Sequence, residues 1–257
     1  MKKIILASKS PRRLEILRAH GFEPIVIPSN TEEILPEEIG MEDAVKLLAY
    51  QKAEACFNCI EKAMRSNNAD KGGLLRLPNS PITADMIKDF IIIGADTIVY
   101  KDEIMGKPAD ESDAFRMLDK IRNTHHYVVT GVCMIPLSNI SISDTESPSN
   151  DASASGNKSI PSTFSVRDQE TASRITQEPS AVGLKDESNL IVLSDVTKVF
   201  CKEYTDDDIR NYIASGEPMD KAGAYAIQGG FGQYIDHIEG DYENVVGLPF
   251  HRIKAYL

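Results

Sequence analysis

The sequence predicts an α/β fold, on three observations. Strand-like apolar runs alternate with helix-period segments along most of the chain. The run at 2–8, "KKIILAS", leads straight into a helix opened by Ser10 and Pro11, an N-cap residue followed by the residue best suited to a first helical position. The segment "DFIIIGADTIVY" at 89–100 is a β-branched run of the kind that fills a central strand.

Taken in order, residues 2–8 read as a short buried strand. Leu14, Ile16 and Leu17 give the following helix, 10–20, its apolar side, and Gly21 stops it. "FEPIVIPS" at 22–29 reads as a second strand. Residues 42–63 carry Ala44, Leu47, Leu48, Ala53, Ala55 and Ile60 at helical spacing. The 89–100 strand follows, then a helix marked by Ala114, Phe115, Leu118 and Ile121. "HHYVVTGVCMI" (125–135) and "NLIVLSDVTKVFCK" (189–202) are further strands. Thr205 and Asp208 form a capping signature for another helix, which Gly216 closes.

Two segments break this order. Residues 64–88 lack a clear period and are rich in Asn, Gly and Pro; they read as an inserted surface loop. Residues 138–189 hold thirteen serines and one aromatic, Phe164, too little apolar surface to offset the entropy of ordering. They read as a Ser-rich, largely disordered insertion in a single domain spanning 1–257.

Composition narrows the function classes. The chain has 257 residues, with 28 Lys and Arg against 39 Asp and Glu, a net charge of −11. That balance argues against a nucleic-acid coat or an anionic membrane surface as partner, though a local basic cluster still suits a small anion. The opening "MKKIILAS" has too short an apolar run for a signal peptide, and no stretch is long enough to span a membrane, so the expected location is cytoplasmic. Cys56 and Cys59 form a lone C-x-x-C inside a helix, with no second pair or nearby His to complete a zinc site; with Cys133 and Cys201 they read as free thiols.

The chemistry concentrates in five places. Arg12 and Arg13 sit in the first turn of a helix, at the positive end of its dipole, where acidic residues are normally found. An anion docked on the free backbone N–H groups there turns both guanidiniums to advantage, and Ser8 and Ser10 add hydroxyls. Asp96 interrupts an apolar strand, and a buried carboxylate needs a cation, a metal or several donors. Glu32, Glu33, Glu37 and Glu38 gather after a strand, and one of them could join Asp96 in holding a hard divalent cation. Lys107, in "MGKPADE", and Lys52, in "AYQKAEA", could each reach a phosphate as a point charge. The glycine-dense 215–249 stretch holds Gln228 beside Gly229; it matches neither a dinucleotide fingerprint nor a Walker A loop. None of the five histidines falls in a nucleophile motif, which sets serine and cysteine hydrolase chemistry aside.

Together "LASKSPRR", "GADTIV", "GKP", "TGV", "SGEPMDKAGAYAIQG" and "NVVGLP" resemble, in order, the motifs of the Maf family of nucleoside triphosphate pyrophosphatases. The resemblance spans nearly the whole chain apart from the two insertions. It implies a Maf/ITPase-like elongated mixed sheet with flanking helices and a cleft between two lobes, often as a homodimer. It implies hydrolysis of the α–β phosphoanhydride, giving a nucleoside monophosphate and pyrophosphate, with Mg²⁺ or Mn²⁺ required. By residue matching, Ser8, Arg12, Arg13, Lys52 and Lys107 hold phosphates, Glu33 and Asp96 bind the metal, Asp96 is the base, and Gln228 reads the nucleobase. "DKAGAYAIQG" resembles the branch that prefers dTTP and UTP and tolerates some modified pyrimidines. The alternatives are a 7-methyl-GTP-type pyrophosphatase, or a nucleotide-binding regulator of cell division with little turnover.

Overall fold

The computed structural model describes residues 2–29, 34–36, 39–67, 74–77, 80–83, 86–139 and 190–257, with 65–67, 74–77, 80–83 and 139 as backbone only. Its strands are β1 (Lys3–Leu6), β2 (Ile25–Val26), β3 (Leu74–Leu77), β4 (Ser80–Thr83), β5 (Phe90–Lys101), β6 (Glu103–Met105), β7 (His125–Pro136), β8 (Ile191–Cys201) and β9 (Ile235–Glu239). Its helices are α1 (Pro11–Ala19), α2 (Met41–Asn67), α3 (Glu111–Ile121), α4 (Asp206–Ala214), α5 (Tyr242–Val246) and α6 (Phe250–Ile253). The main sheet runs β2-β1-β5-β7-β8-β9, with β6 also on β5. The β2–β1 and β1–β5 pairs are parallel and the rest antiparallel, so the α/β sheet is mixed.

Side-chain alternation along the long strands gives the sheet two faces with different tasks. Helix α2 covers one face. Its Ala49, Ala53, Cys56, Phe57 and Ile60 pack on Ile5, Ile92, Cys133 and Ile135. The other face carries two separate cores. At one end Ile16, Leu17, Phe250 and Ile253 bury Ile4, Leu6, Ile91, Ile93 and Val132. At the other, α3 and α4 bring Leu118, Ile121, Ile209 and Ile213 against Val99, Val128 and Val199. Between these two cores the strands present Thr97, Thr130 and Asp195 in cross-strand register. A polar seam thus divides the face.

Local sequence explains the element ends. Thr205 and Asp208 form the expected capping box on α4, each accepting from the other's backbone N–H. The segment 22–29 forms a strand only at Ile25–Val26, because Pro24 and Pro28 flank it and neither can donate to a ladder. Within 64–88, residues 64–67 extend α2, and β3 and β4 pair as an antiparallel hairpin, an order that lack of period concealed. The Ser-rich 138–189 segment lies outside the described residues, apart from 138 and 139 at the end of a 3₁₀ turn. The C-x-x-C pair separates. Cys59 is exposed, while burial pushes the Cys56 thiol up to about 12, so neither is poised as a redox partner for the other.

His126, on β7, is fully buried; its Nε2 lies 2.6 Å from Tyr225 Oη and its Nδ1 3.9 Å from Cys201 Sγ. Burial first, then Lys101, holds the imidazole pKa down at about 3. The unfolded chain, with its His near 6.5, binds the extra proton first, so stability is complete above pH 6.5 and falls as pH drops toward 3. Unfolding free energy should therefore decline by about 1.4 kcal/mol per pH unit below 6 from this residue alone. Urea titrations at pH 7, 6 and 5 on wild type and His126→Gln would show it. A slope unchanged by the substitution refutes the assignment.

Candidate functional site

The two arginines of α1 have separate surroundings. Ser10 occupies the N-cap position, but its side chain makes no capping hydrogen bond; its own N–H donates to Ser8 Oγ at 3.2 Å. Ser8 is buried at the end of β1 and also accepts from Arg13 Nη1 at 2.9 Å. Arg13, only 8% exposed, further donates from Nε to the Gly247 carbonyl at 2.8 Å and from Nη2 to Thr97 Oγ1 at 3.1 Å. It therefore ties together the first loop, the central strand and the turn after α5. Arg12 is half-buried and lines a cleft.

The hydrogen bonds of the seam run in one direction. Thr130 Oγ1 donates to the Asn244 carbonyl at 2.9 Å. Its only proton is thus committed, so the 2.9 Å contact between Thr97 and Thr130 has the Thr97 hydroxyl as donor. Arg13 in turn donates to Thr97. Asn244, fully buried in α5, donates from Nδ2 to the Val128 carbonyl and to Thr197 Oγ1, which fastens the helix to β7 and β8.

The cleft opens on this seam, where the two cores of the face part. It is lined by Arg12, Thr97, Lys221, Gln228 and Val245, among others. Lys221 is largely buried, ion-paired with Asp220, and donates to the Glu217 carbonyl at 3.4 Å. Lys221 first and Arg12 among the further causes hold the Asp220 carboxyl below its ordinary pKa. The glycines at 229 and 230 have a packing reason. Gly230 N donates to Glu217 Oε2 at 3.0 Å, and a Cβ on Gly229 would fall on the same carboxylate. The Gly230 amide serves Glu217 and the Gly229 amide the Ala226 carbonyl, at 3.1 Å.

Asp96 belongs to the opposite face. There it is buried against α2, and Lys52 Nζ donates to its Oδ1. The edge of β5 links the two faces. On that edge β1 pairs with Phe90–Ile93 and β6 with Val99–Lys101, so among the described residues no strand covers 94–98. Asp96 is at the middle of this gap, Ser8 at the end of the strand that stops beside it. Lys107 is exposed, on the turn after β6 whose Gly106 carbonyl accepts from Gly223 N, next to the Lys221 wall. Glu33, with Glu32, Glu37 and Glu38, lies outside the described residues.

The structure thus brings Ser8, Arg13 and Thr97 together, places Arg12 and Gln228 in one cleft, and pairs Lys52 with Asp96. Sequence reasoning missed Thr97 and Lys221. Both stood inside quoted motifs: Thr97 follows Asp96 and alternation turns it to the other face, while Lys221 is the lysine of "DKAG".

Comparison with known proteins agrees in scope. The family model described as "Maf-like protein" matches residues 3–156 and 166–257. The dTTP/UTP pyrophosphatase of Caldicellulosiruptor saccharolyticus is 34% identical, over 100% of this chain and 94% of that protein. The dTTP/UTP pyrophosphatase of Desulfitobacterium hafniense is 35% identical, covering 100% and 84%. That of Acetivibrio thermocellus is 34% identical, covering 100% and 94%. The family model and the full-length relatives cover both the opening motif and the lysine-bearing wall, and the chain belongs to the Maf family.

Proposed function

We propose that this chain hydrolyses the α–β phosphoanhydride of dTTP and UTP to the nucleoside monophosphate and pyrophosphate. The observation that carries this is the stretch of β5 at 94–98 that no described strand covers, where the buried Asp96 carboxylate pairs with Lys52 on one face and the next residue, Thr97, accepts from Arg13 on the other. A triphosphate carries about four negative charges, and hydrolysis needs them neutralised before water attacks. Arg12, Lys52, Lys107 and Lys221 supply positive charge around the gap; Ser8 and Arg13 shape its floor. Asp96 takes the proton of the attacking water, and Lys52, which donates to its Oδ1, holds the carboxylate in position. The nucleobase and sugar lie in the cleft against Thr97, Gln228 and Val245.

Asp96 also fits a divalent cation, since its carboxylate is a hard oxygen donor at the rim of the gap. Mg²⁺ or Mn²⁺ held there, with Glu33 as second ligand, would supply further positive charge at the phosphates. No described helix is long and apolar enough to cross a membrane. The same reading carries a cytoplasmic location and a homodimer, without nucleic-acid or membrane partners.

The test is a panel of dTTP, UTP, GTP and 7-methyl-GTP with Mg²⁺ or Mn²⁺, with pyrophosphate measured separately from phosphate. Pyrophosphate from dTTP and UTP, at a kcat/KM ten or more times that for GTP, is expected; discrimination through one or two polar base contacts is worth about that much. Pyrophosphate mainly from 7-methyl-GTP refutes the pyrimidine assignment, and nucleotide binding without any product refutes the enzyme.

A further inference from the structure

The polar seam continues past Thr130 to a cluster that the reaction above does not use. Asp195 on β8, Asp241 at the N-cap of α5 and His251 on α6 converge, and one ligand atom from each lies within 4.8 Å of the others. His251 Nδ1 is 3.1 Å from Asp241 Oδ2, and His251 Nε2 is 4.0 Å from Asp195 Oδ2. Asp241 Oδ2 also accepts from Asn244 N at 3.1 Å, and Oδ1 from Glu243 N at 3.3 Å, so two backbone amides fix that carboxylate in place.

Asp195 is the anomaly. Its Oδ2 is shut off from solvent and has no hydrogen-bond partner among the described residues. An ionised oxygen in that position is costly unless a cation meets it. A lone imidazole at 4.0 Å is beyond hydrogen-bond range, and it already bonds Asp241. Two carboxylates and one imidazole around a common point form a mixed oxygen and nitrogen donor set. Such a set suits borderline first-row divalent ions over Mg²⁺, which prefers oxygen ligands alone.

We infer that Asp195, Asp241 and His251 form a binding site for a transition-metal divalent cation such as Zn²⁺, separate from the catalytic gap. Asp96 faces α2, whereas Asp195 is in register with Thr130 on the other face of the sheet, so the two sites share no ligand. The location also gives the ion a task. Asp241 caps α5, and the turn after α5 supplies the Gly247 carbonyl that Arg13 grips. A cation joining β8 to α5 and α6 fastens that turn to the sheet. Its effect is on stability and on the seating of Arg13, not on the chemical step.

The experiment is calorimetric titration with Zn²⁺, without nucleotide, of the EDTA-treated full chain carrying Asp96→Asn, which removes the cation ligand of the catalytic gap, alongside thermal unfolding with and without the ion. Expected are one equivalent bound and a higher Tm with Zn²⁺. Added to that variant, His251→Ala and Asp195→Asn should each weaken binding by about 10- to 100-fold and abolish the Tm increment. His251 is exposed and Asp195→Asn keeps the shape, so both variants should fold; circular dichroism checks this. Absence of saturable binding up to 1 mM, a figure on the order of the weakest useful protein metal sites, overturns the inference. Binding that survives both substitutions places the ion elsewhere and overturns it too. Neither outcome depends on pyrophosphate release, so failure here is distinct from failure of the proposed activity.

Discussion

Asp96→Asn should lower kcat for dTTP by about 10²- to 10⁴-fold, the range typical for removing a positioned general base. Asn keeps the size and planarity of the side chain and can still face Lys52. It loses the negative charge that makes Asp96 a proton acceptor and a cation ligand. Gly94 and Gly131 seat α2 against the strands whatever residue stands at 96, so the fold should persist. The measurements are pyrophosphate release, nucleotide binding by calorimetry, and Tm. Loss of turnover with binding retained within a few fold is the expected pattern. Turnover near that of wild type would show that the base is another group and would move attention to the carboxylates of 32–38. A parallel collapse of Tm and binding would assign Asp96 a structural role. The choice of asparagine separates these outcomes, because alanine would open a cavity beside Lys52 as well.

How far the sequence reveals this site depends on the range of the forces involved. Helix starts, the α4 capping box and the long strands follow from local signals, and the chain announces them. The split between Arg12 and Arg13 is different. Both stand in one turn with the same local chemistry. Arg13 is buried because Gly247, 234 positions away, offers a carbonyl, and Thr97, 84 positions away, offers a hydroxyl. No local pattern encodes such partners. The brevity of β2 was legible in principle, since Pro24 and Pro28 bracket it. The hairpin in 64–88 was concealed because four-residue strands are too short for a period to stand out. The gap at 94–98 is invisible locally for a related reason. It exists because β1 stops at Leu6, opposite Ile93, and β6 stops at Met105, opposite Val99, and only the register of both strands on β5 turns those two limits into an opening around Asp96. The motif residues were therefore readable, while the geometry that would make them a site is tertiary.

Gly131→Ala tests that geometry, with a large expected effect and no functional group removed. An ideal Cβ at Gly131 would lie 2.2 Å from the Val45 carbonyl oxygen, and one at Gly94 would lie 2.3 Å from the Ala49 carbonyl oxygen. The obstacles are helix backbone, which no side-chain rotation relieves. The two glycines form a trough in which α2 rests directly on β5 and β7. Gly131 is opposite Asp96 in the strand register, so the trough also sets the height of Lys52 over the carboxylate. A methyl group at 131 forces the helix outward or bends the strand. Overpacking of this kind costs about 1–3 kcal/mol, and more where backbone must move. For a chain of this size that corresponds to a Tm lower by roughly 2–12 °C. The same displacement lifts Lys52 away from Asp96, and a 1 Å misplacement can reduce turnover by about 10²-fold. Loss of kcat/KM in a variant that keeps every charged residue would show that the seating of α2 positions the site. An unchanged Tm would mean that α2 does not approach β7 this closely, and the placement of Lys52 on Asp96 would fall with it.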